Sequence, residues 1–288
     1  MTEPLTPGPG DQVVPAPGGR TRRDAPLAVP GPPGAPGIGT DGGAPRFADY
    51  FRRTLKTSET VAHDIVAEIV ARDLQPGDRL PLEATMQAAY RVSRASLREA
   101  LRLLEVQGLI SIKPGPGGGP VVGTVDARYL ARTSALYYNL GGSSYREVFD
   151  VQLLLEPLAA EAAARNPDRG LVTAVLAPLL PALHPLDGAA WYQSAFEFHH
   201  AVYLLSGNRV QNLITQSVAH IVADHVLAIV DVAPIRAEIA RDHVAIGTAI
   251  VEGRAVDAGR LMRSHFQFQL EYCEREVPAR MEELIEWR

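Results

Sequence analysis

The sequence predicts a mainly α-helical protein with two folded parts, a winged helix-turn-helix followed by an antiparallel all-α helical bundle. Two observations support this fold class. Between residues 83 and 124, two short helical patterns with a tight turn between them precede two β-rich runs around a Gly/Pro-rich tip. From residue 126 to residue 276, the hydrophobic periodicity is helical, and short breaker segments separate the helices.

The composition alone indicates which classes of protein this chain can belong to. Segment 1–45 contains 11 prolines and 10 glycines, so it cannot bury enough surface to offset its ordering entropy, and we expect it to be disordered. The chain has no apolar run typical of a secretory signal or a membrane span. Cys273 is the only cysteine, which excludes an internal disulfide. We expect a cytoplasmic protein without a membrane partner, with domains at 46–124 and 125–280.

The net charge of −5 is divided unevenly along the chain. Residues 91–113 carry five basic and two acidic side chains, a local charge of +3. Residues from 125 onward carry 14 basic and 20 acidic side chains, a local charge of −6. A nucleic-acid partner is therefore expected for the first domain and not for the second.

The second helix of the first domain is predicted to have a basic side and an apolar side. Arg91, Arg94, Arg98 and Arg102 recur every three or four residues, so we expect them to project from one side, with Ser93 as the N-cap. Apolar residues recur in the same rhythm: Leu97, Ala100, Leu101 and Leu104. This pattern is typical of a recognition helix in the DNA major groove, although a lone basic stripe is also typical of a solvated helix face.

A predicted β-hairpin after this helix favours the DNA-binding interpretation. The runs 109–113 and 121–124 bracket a tip at 114–120 that is rich in glycine and proline. Glycine at such a tip lets the backbone approach phosphate closely. The candidate DNA contacts are Arg91, Ser93, Arg94, Ser96, Arg98, Lys113, Gly115 and Gly117.

Residues 55–124 resemble the GntR family of bacterial transcription regulators. The matching segments are Leu74–Pro81, Glu83, Val92–Arg94, Leu97–Leu101, Leu104–Glu105 and Gly108–Ile110. The resemblance implies that Arg94 and Arg98 read guanines and that the wing tip reaches the minor groove. It also implies a homodimer on double-stranded operator DNA with an inverted repeat.

Two departures from that family fall at the start of the first helix of the motif. The usual serine after the Leu-Pro pair is Leu82 here, which removes a helix N-cap that is worth about 1 kcal/mol. The arginine that commonly follows the glutamate is Ala84. We expect a changed operator preference and not a loss of DNA binding.

Beyond residue 125, the periodicity predicts seven helices with short connections. Their predicted bounds are 126–139, 144–165, 168–183, 188–206, 208–231, 235–252 and 255–276. His199, His243 and His265 fall on three different helices, where a bundle could direct them at one centre. Three converging imidazoles would form a transition-metal site, although histidines also serve as hydrogen-bonded core residues.

The segment from about 128 to 276 resembles the FCD-type effector domain of the FadR branch of the GntR family. The resemblance rests on Phe198-His199, Ser206–Asn208, His243 and the last helix with Leu261-Met262 and His265. It implies a ligand-controlled regulator in which His199, His243 and His265 bind a divalent transition metal such as zinc or nickel. The alternative is a vestigial site whose histidines only form hydrogen bonds.

Two positions depart from the FCD pattern. The usual fourth ligand, an aspartate one turn before the first histidine, is Ala195 here, and Glu197 lies about 200° around the helix from His199. The usual arginine four residues before Glu156 is Gln152. We expect weaker metal binding and open coordination positions that water or an effector carboxylate could fill. The candidate effector-pocket residues are Gln152, Ala195 and His220.

The leading hypothesis is a ligand-responsive transcription regulator, a repressor that a small carboxylate metabolite releases from DNA, and not an enzyme. One alternative is a metal-dependent hydrolase-like bundle tethered to DNA, but the sequence contains no HExxH motif and no nucleophile elbow. The other alternative is a constitutive DNA binder with a vestigial pocket.

Overall fold

The computed structural model describes residues 56–115, 118–180 and 188–288. The expected disorder of residues 1–45 and the predicted contact of Gly117 lie outside the described residues. The protein is mainly helical, as the sequence predicts. The described chain falls into two compact units, residues 56–133 and residues 134–288.

The first unit contains three helices and a hairpin. Helix α1 is Thr57–Ala71, α2 is Glu83–Tyr90, α3 is Arg94–Val106, β1 is Ile110–Lys113 and β2 is Gly119–Val122. The α3 residues that were predicted to be apolar and inward, Leu97, Ala100, Leu101 and Leu104, are all buried in a core that includes α1 and α2 residues. As predicted from the sequence, Leu82 at the start of α2 provides no side-chain cap.

Ser93 is the N-cap of α3, as predicted, and its hydroxyl oxygen accepts a hydrogen bond from the backbone N–H of Ser96 at 3.1 Å. Arg91 departs from the prediction, because it is not part of the recognition-helix stripe. It ends α2 in the left-handed conformation, with φ of 54°. The turn between the two helices requires this backbone geometry, so the helical spacing from Arg91 to Arg94 does not apply.

The hairpin differs from the prediction in its second strand. The expected run was 121–124, whereas β2 starts at Gly119, because Lys113 pairs with Gly119 and Ile110 pairs with Val122. Pro120 lies within β2, and its carbonyl accepts a hydrogen bond from the Leu80 N–H at 3.0 Å. A side chain at Gly118 would place Cβ 2.2 Å from the Lys113 carbonyl oxygen, so the tight tip requires glycine there.

The second unit is an all-helical bundle, entered through α4 (Ala127–Gly141), which runs across the division between the units. Its remaining helices are α5 Tyr145–Ala164, α6 Arg169–Leu176, α7 Gly188–Leu205, α8 Arg209–Val222, α9 Arg236–Val251, α10 Ala255–Glu276 and α11 Pro278–Glu282. Helix α5 is central, since it packs on α7, α8, α9 and α10. The α5–α10 pair is the most extensive of these contacts.

Two predicted helices of the bundle are shorter than expected. The predicted helix 168–183 ends at Leu176, and residues 181–187 lie outside the described part of the chain. The predicted helix 208–231 ends as an α-helix at Val222 and continues as one π-helical turn, Ala223–Leu227. A π turn widens the helix by one residue, and such turns are frequent at functional sites.

Candidate functional site

Two groups of residues predicted from the sequence are brought together, one in each unit. In the first unit, Arg94 and Arg98 lie one turn apart at the N-terminal end of α3, and both are exposed. They line a groove whose opposite side includes Gly119 and Pro120 of the hairpin. The groove therefore joins the start of α3 to the wing.

Arg98 has an acidic partner within this groove. Its Nε donates to a carboxylate oxygen of Glu83 at 3.2 Å, and the Arg98 side chain remains 61% exposed. An exposed ion pair of this kind contributes about 0–1 kcal/mol, so DNA phosphate or a guanine edge could replace it at little cost. The Nη groups of Arg98 carry further N–H donors, which could form the bidentate contact that guanine accepts.

The other predicted contacts lie around this groove. Lys113 and Gly115 are exposed at the wing, and Gly115 has a φ of 95°. Arg91 is exposed at the turn. Ser96 is partly buried, and its hydroxyl lies 2.9 Å from the Ser93 hydroxyl, so it helps to cap α3.

In the second unit, His199 of α7, His243 of α9 and His265 of α10 converge as the sequence predicts. One nitrogen from each ring lies within 4.8 Å of the other two. His243 and His265 are fully buried. Their Nε2 atoms are 3.2 Å apart, close to the ~3.3 Å that separates two nitrogens on one tetrahedral zinc ion with Zn–N bonds of ~2.0–2.1 Å.

Hydrogen bonds around His265 favour a metal-binding tautomer. Its Nδ1 lies 3.1 Å from a carboxylate oxygen of Asp242, so Nδ1–H donates and Nε2 carries the lone pair. That Nε2 has two nitrogen neighbours, the Gln269 amide at 2.6 Å and His243 Nε2 at 3.2 Å. One lone pair cannot accept well from both donors. A cation shared by the two imidazole lone pairs would remove the need for a proton between the histidines, and a flip of the Gln269 amide would turn its oxygen towards that cation, so the residues present fit a metal.

Burial favours the neutral forms of His243 and His265, and metal binding requires neutral imidazoles. Burial, followed by the neighbouring His265 and His199, holds the pKa of His243 well below its usual range. Burial also lowers the pKa of His265, although the hydrogen bond to Asp242 opposes this effect.

Sequence reasoning found the three histidines but did not identify the polar residues around them. Asp242 and Gln269 were missed, although Gln269 lies one turn after His265 and Asp242 precedes His243. Glu156 is fully buried on α5, and its Oε2 lies 3.7 Å from His199 Nδ1. Neither of these two atoms has a hydrogen-bond partner among the described residues. The short hydrogen bond that Glu156 accepts from the Tyr203 hydroxyl fixes its other oxygen.

The structure also shows what surrounds the position where the FCD pattern has an aspartate and this chain has Ala195. Ala195 lines a cavity beside His199 and offers no ligand atom. Glu197 is exposed and accepts a hydrogen bond from the Gln193 amide at 2.9 Å, so it does not replace the missing aspartate. The cavity has about 800 Å³ of empty space when its mouth is included.

Two of the three predicted pocket residues line this cavity. Gln152 and Ala195 are on its wall, with His199, His243 and Glu156 at the same end. The third predicted pocket residue, His220, is not among the residues that line the cavity. It is buried, and its ring packs on Phe196 at a centroid distance of 5.0 Å.

No helix in the described part of the chain is long and apolar enough to cross a membrane.

Comparisons with known proteins agree with both units. Residues 57–118 match the family "Bacterial regulatory proteins, gntR family", and residues 147–268 match the FCD domain. The chain is similar to the HTH-type transcriptional repressor NanR of Shigella sonnei, with 26% identity, and of Cronobacter sakazakii, with 28% identity, each over 159 residues. These alignments cover 54% of this chain and 60% of each relative. The matched families and relatives are regulators and not enzymes.

Among solved structures, Streptococcus agalactiae GntR has a similar fold. Its TM-score is 0.53 at 22% identity, and the match covers 74% of this chain and 99% of that chain.

Proposed function

Since this chain belongs to the GntR family of bacterial regulatory proteins and carries an FCD domain, we propose that it is a DNA-binding transcription regulator whose bundle senses a small carboxylate. One observation carries the DNA-binding part. Two exposed arginines, Arg94 and Arg98, lie at the capped N-terminal end of α3 beside a glycine-tipped wing. The N-terminal residues of a recognition helix are the ones that reach base edges in the major groove.

The protein acts as a homodimer on an inverted repeat in the bacterial cytoplasm. Val151, Leu154 and Leu158 lie along one side of α5 and are largely exposed, and such an apolar stripe suits a contact with a second copy. Sedimentation of the protein with and without operator gives the number of copies per site. A single copy on a half-site would contradict the inverted-repeat prediction.

The bundle holds a divalent transition metal on His199, His243 and His265, with Asp242 orienting His265. Such an ion supplies a Lewis-acid position for a carboxylate oxygen. The absence of a ligand at Ala195 leaves room for that oxygen, and Glu156 and Gln152 lie on the same wall. Effector binding then changes the placement of the two DNA-binding domains in the dimer and releases the operator. A reporter that is repressed without the effector and expressed with it supports the repressor mode; the opposite response indicates an activator.

The test of DNA reading uses a duplex that the unmodified protein selects from a random library. Arg94→Ala and Arg98→Ala are each expected to cost about 1–3 kcal/mol in a mobility shift and to relax discrimination at one base. Arg260→Ala is the control, since Arg260 is exposed in the acidic domain and its loss changes the net charge equally. Parent-like binding by both α3 variants would overturn the groove assignment.

A further inference from the structure

The walls of the cavity differ sharply between its two ends. Apart from three tyrosine hydroxyls, the polar side chains on its lining are the histidines and their neighbours, namely Gln152, Glu156, His199, His243 and Gln269. Glu156 Oε2 lies 3.7 Å from His199, and Gln269 lies 2.6 Å from His265, which in turn is 3.2 Å from His243. Gln152 is one turn before Glu156 on α5. All the remaining lining residues are apolar or aromatic.

The apolar end extends along α7 away from His199. Tyr192, Phe196 and His199 recur at helical spacing on the lining, and the seven steps from Tyr192 to His199 span about 10 Å of helix. Trp191 packs edge-on against Tyr192 at 5.2 Å. Ile235 and Ile239 also line the cavity. This length and lining suit a ring or a branched alkyl body.

The charges of the residues that line the cavity limit the number of acidic groups that a bound ligand can have. No arginine or lysine is among the residues that line the cavity in the described part of the chain, and Glu156 is a fully buried carboxylate. A second ligand carboxylate in the apolar part would therefore be buried with no cation on the lining itself, which is costly. Several ligand hydroxyl groups would find few partners, because the Tyr203 hydroxyl already donates to Glu156 and the Tyr272 hydroxyl to the Asp231 carbonyl.

Unsatisfied polar atoms mark where the single head group binds. Gln152 is 2% exposed, and its Oε1 has no hydrogen-bond partner among the described residues. The same holds for His199 Nδ1. Because the amide of Gln152 can present its NH₂ group after a flip, it can donate to a carboxylate oxygen.

We propose that the effector is a monocarboxylate with an apolar body of aryl or branched-alkyl type, whose carboxylate lies at the histidine end and whose body lies between Tyr192 and Ile235. Polycarboxylates and sugar acids are excluded by the same walls. This inference rests on the proposed sensing role of the bundle and narrows its ligand class.

The experiment compares ligands by calorimetry on the full metal-loaded protein. We expect 3-phenylpropionate to bind about 10- to 100-fold more tightly than acetate, since burial of one ring is worth that factor, and citrate and gluconate to bind no better than acetate.

Two further probes test the ends of the cavity. Tighter binding of 3-phenylpropylamine than of the acid would overturn the carboxylate head. Tighter binding of a dicarboxylate of equal length would overturn the apolar end, because Arg236, 5.4 Å from the Trp191 ring, would then act as a second anchor.

Two matched variants, one in the π turn and one just after it, test where the apolar body of the ligand binds. Ala223 lines the cavity, whereas Ala228 is exposed just after the turn. Ala223→Phe is expected to weaken 3-phenylpropionate binding at least 10-fold more than it weakens acetate binding, with Ala228→Phe as the control. Equal effects of the two variants would overturn the placement. Operator binding without ligand is measured on the same samples, so a failed ligand panel with intact operator binding refutes this inference and leaves DNA binding standing.

Discussion

The two functional regions handle charge in opposite ways. On α3, Arg94 and Arg98 are solvated and stand on a single helix, and the ion pair between Arg98 and Glu83 is exposed. In the bundle, His243, His265 and Glu156 are fully buried and come from three helices. A solvated charge can change partners at little cost, whereas a buried polar group must be satisfied where it lies. The proposed DNA reading therefore depends on local sequence, and the proposed ligand sensing depends on tertiary packing.

The largest effect is expected from substitution of a buried histidine in the bundle. His243→Ala removes one of three ligands and is expected to lower metal content from about one ion per chain to below one tenth, as measured by elemental analysis of dialysed protein. Asp242→Asn keeps the ligand and changes only its orienting partner, so a smaller loss of about 10- to 100-fold in metal affinity is expected.

His200, which is exposed and adjacent to His199, provides the control for the histidine test. His200→Ala is expected to retain the metal. Loss of metal in this variant, or retention in His243→Ala, would contradict the three-histidine site.

A second test compares a half-buried arginine with an exposed one. The guanidinium of Arg169 donates to the Ile250 and Val251 carbonyls at 2.7 and 2.6 Å. It also donates to the carbonyls of Ala164, the last residue of α5, and of Asn166, so it caps two helix C-termini. Arg169→Ala is expected to lower the free energy of unfolding by about 2–3 kcal/mol, or the Tm by about 5–10 °C. Arg165→Ala removes only an exposed pair with Glu161 and should cost less than about 0.5 kcal/mol. Equal losses in calorimetry would contradict the capping role.

The features that were predicted correctly from the sequence are mostly those that depend on local contacts, and the features that were missed mostly depend on packing between helices. The buried side of α3 and the Ser93 cap were predicted correctly, because both depend on residues within one turn of each other. The three histidines were found through helical spacing and family resemblance. Asp242 was not identified, because its contact with His265 depends on how α9 and α10 are rotated against each other. Gln269 was missed although it lies one turn after His265 on the same helix, because that spacing alone does not show which side chains around His265 approach its Nε2. The π turn after α8 was also missed, since nothing in the local periodicity marks its extra residue.

A third test concerns pH, to which buried imidazoles respond and exposed arginines do not. The Tyr145 oxygen accepts N–H donors from Arg280 at 3.1 Å and from Glu286 at 3.0 Å, so its hydroxyl donates to His225 Nδ1 at 3.0 Å. His225 must be neutral to accept. Burial and the nearby Arg288 and Arg280 lower its pKa below 6.5.

The unfolded chain then binds a proton at a pH where folded His225 does not, so acid favours unfolding. The free energy of unfolding of the metal-free protein is expected to fall below pH ~6.5, with this residue contributing up to about 1.4 kcal/mol per pH unit until the lowered pKa is reached. His225→Asn should reduce that slope in denaturant titrations at pH 5 and pH 7. An unchanged slope would mean that His225 is already protonated in the folded protein.

The smallest expected effect is at the exposed pair on the DNA-reading surface. Glu83→Gln removes a negative charge near the phosphates and releases Arg98, and an exposed pair is worth at most about 1 kcal/mol. We therefore expect binding to a scrambled duplex to rise by up to about 5-fold while discrimination in favour of the operator falls. Glu99→Gln is the matched control, because Glu99 is exposed on α3 and carries the same charge. If the two variants discriminate equally, Glu83 contributes only charge; if Glu83→Gln alone loses discrimination, Glu83 orients Arg98 for base reading.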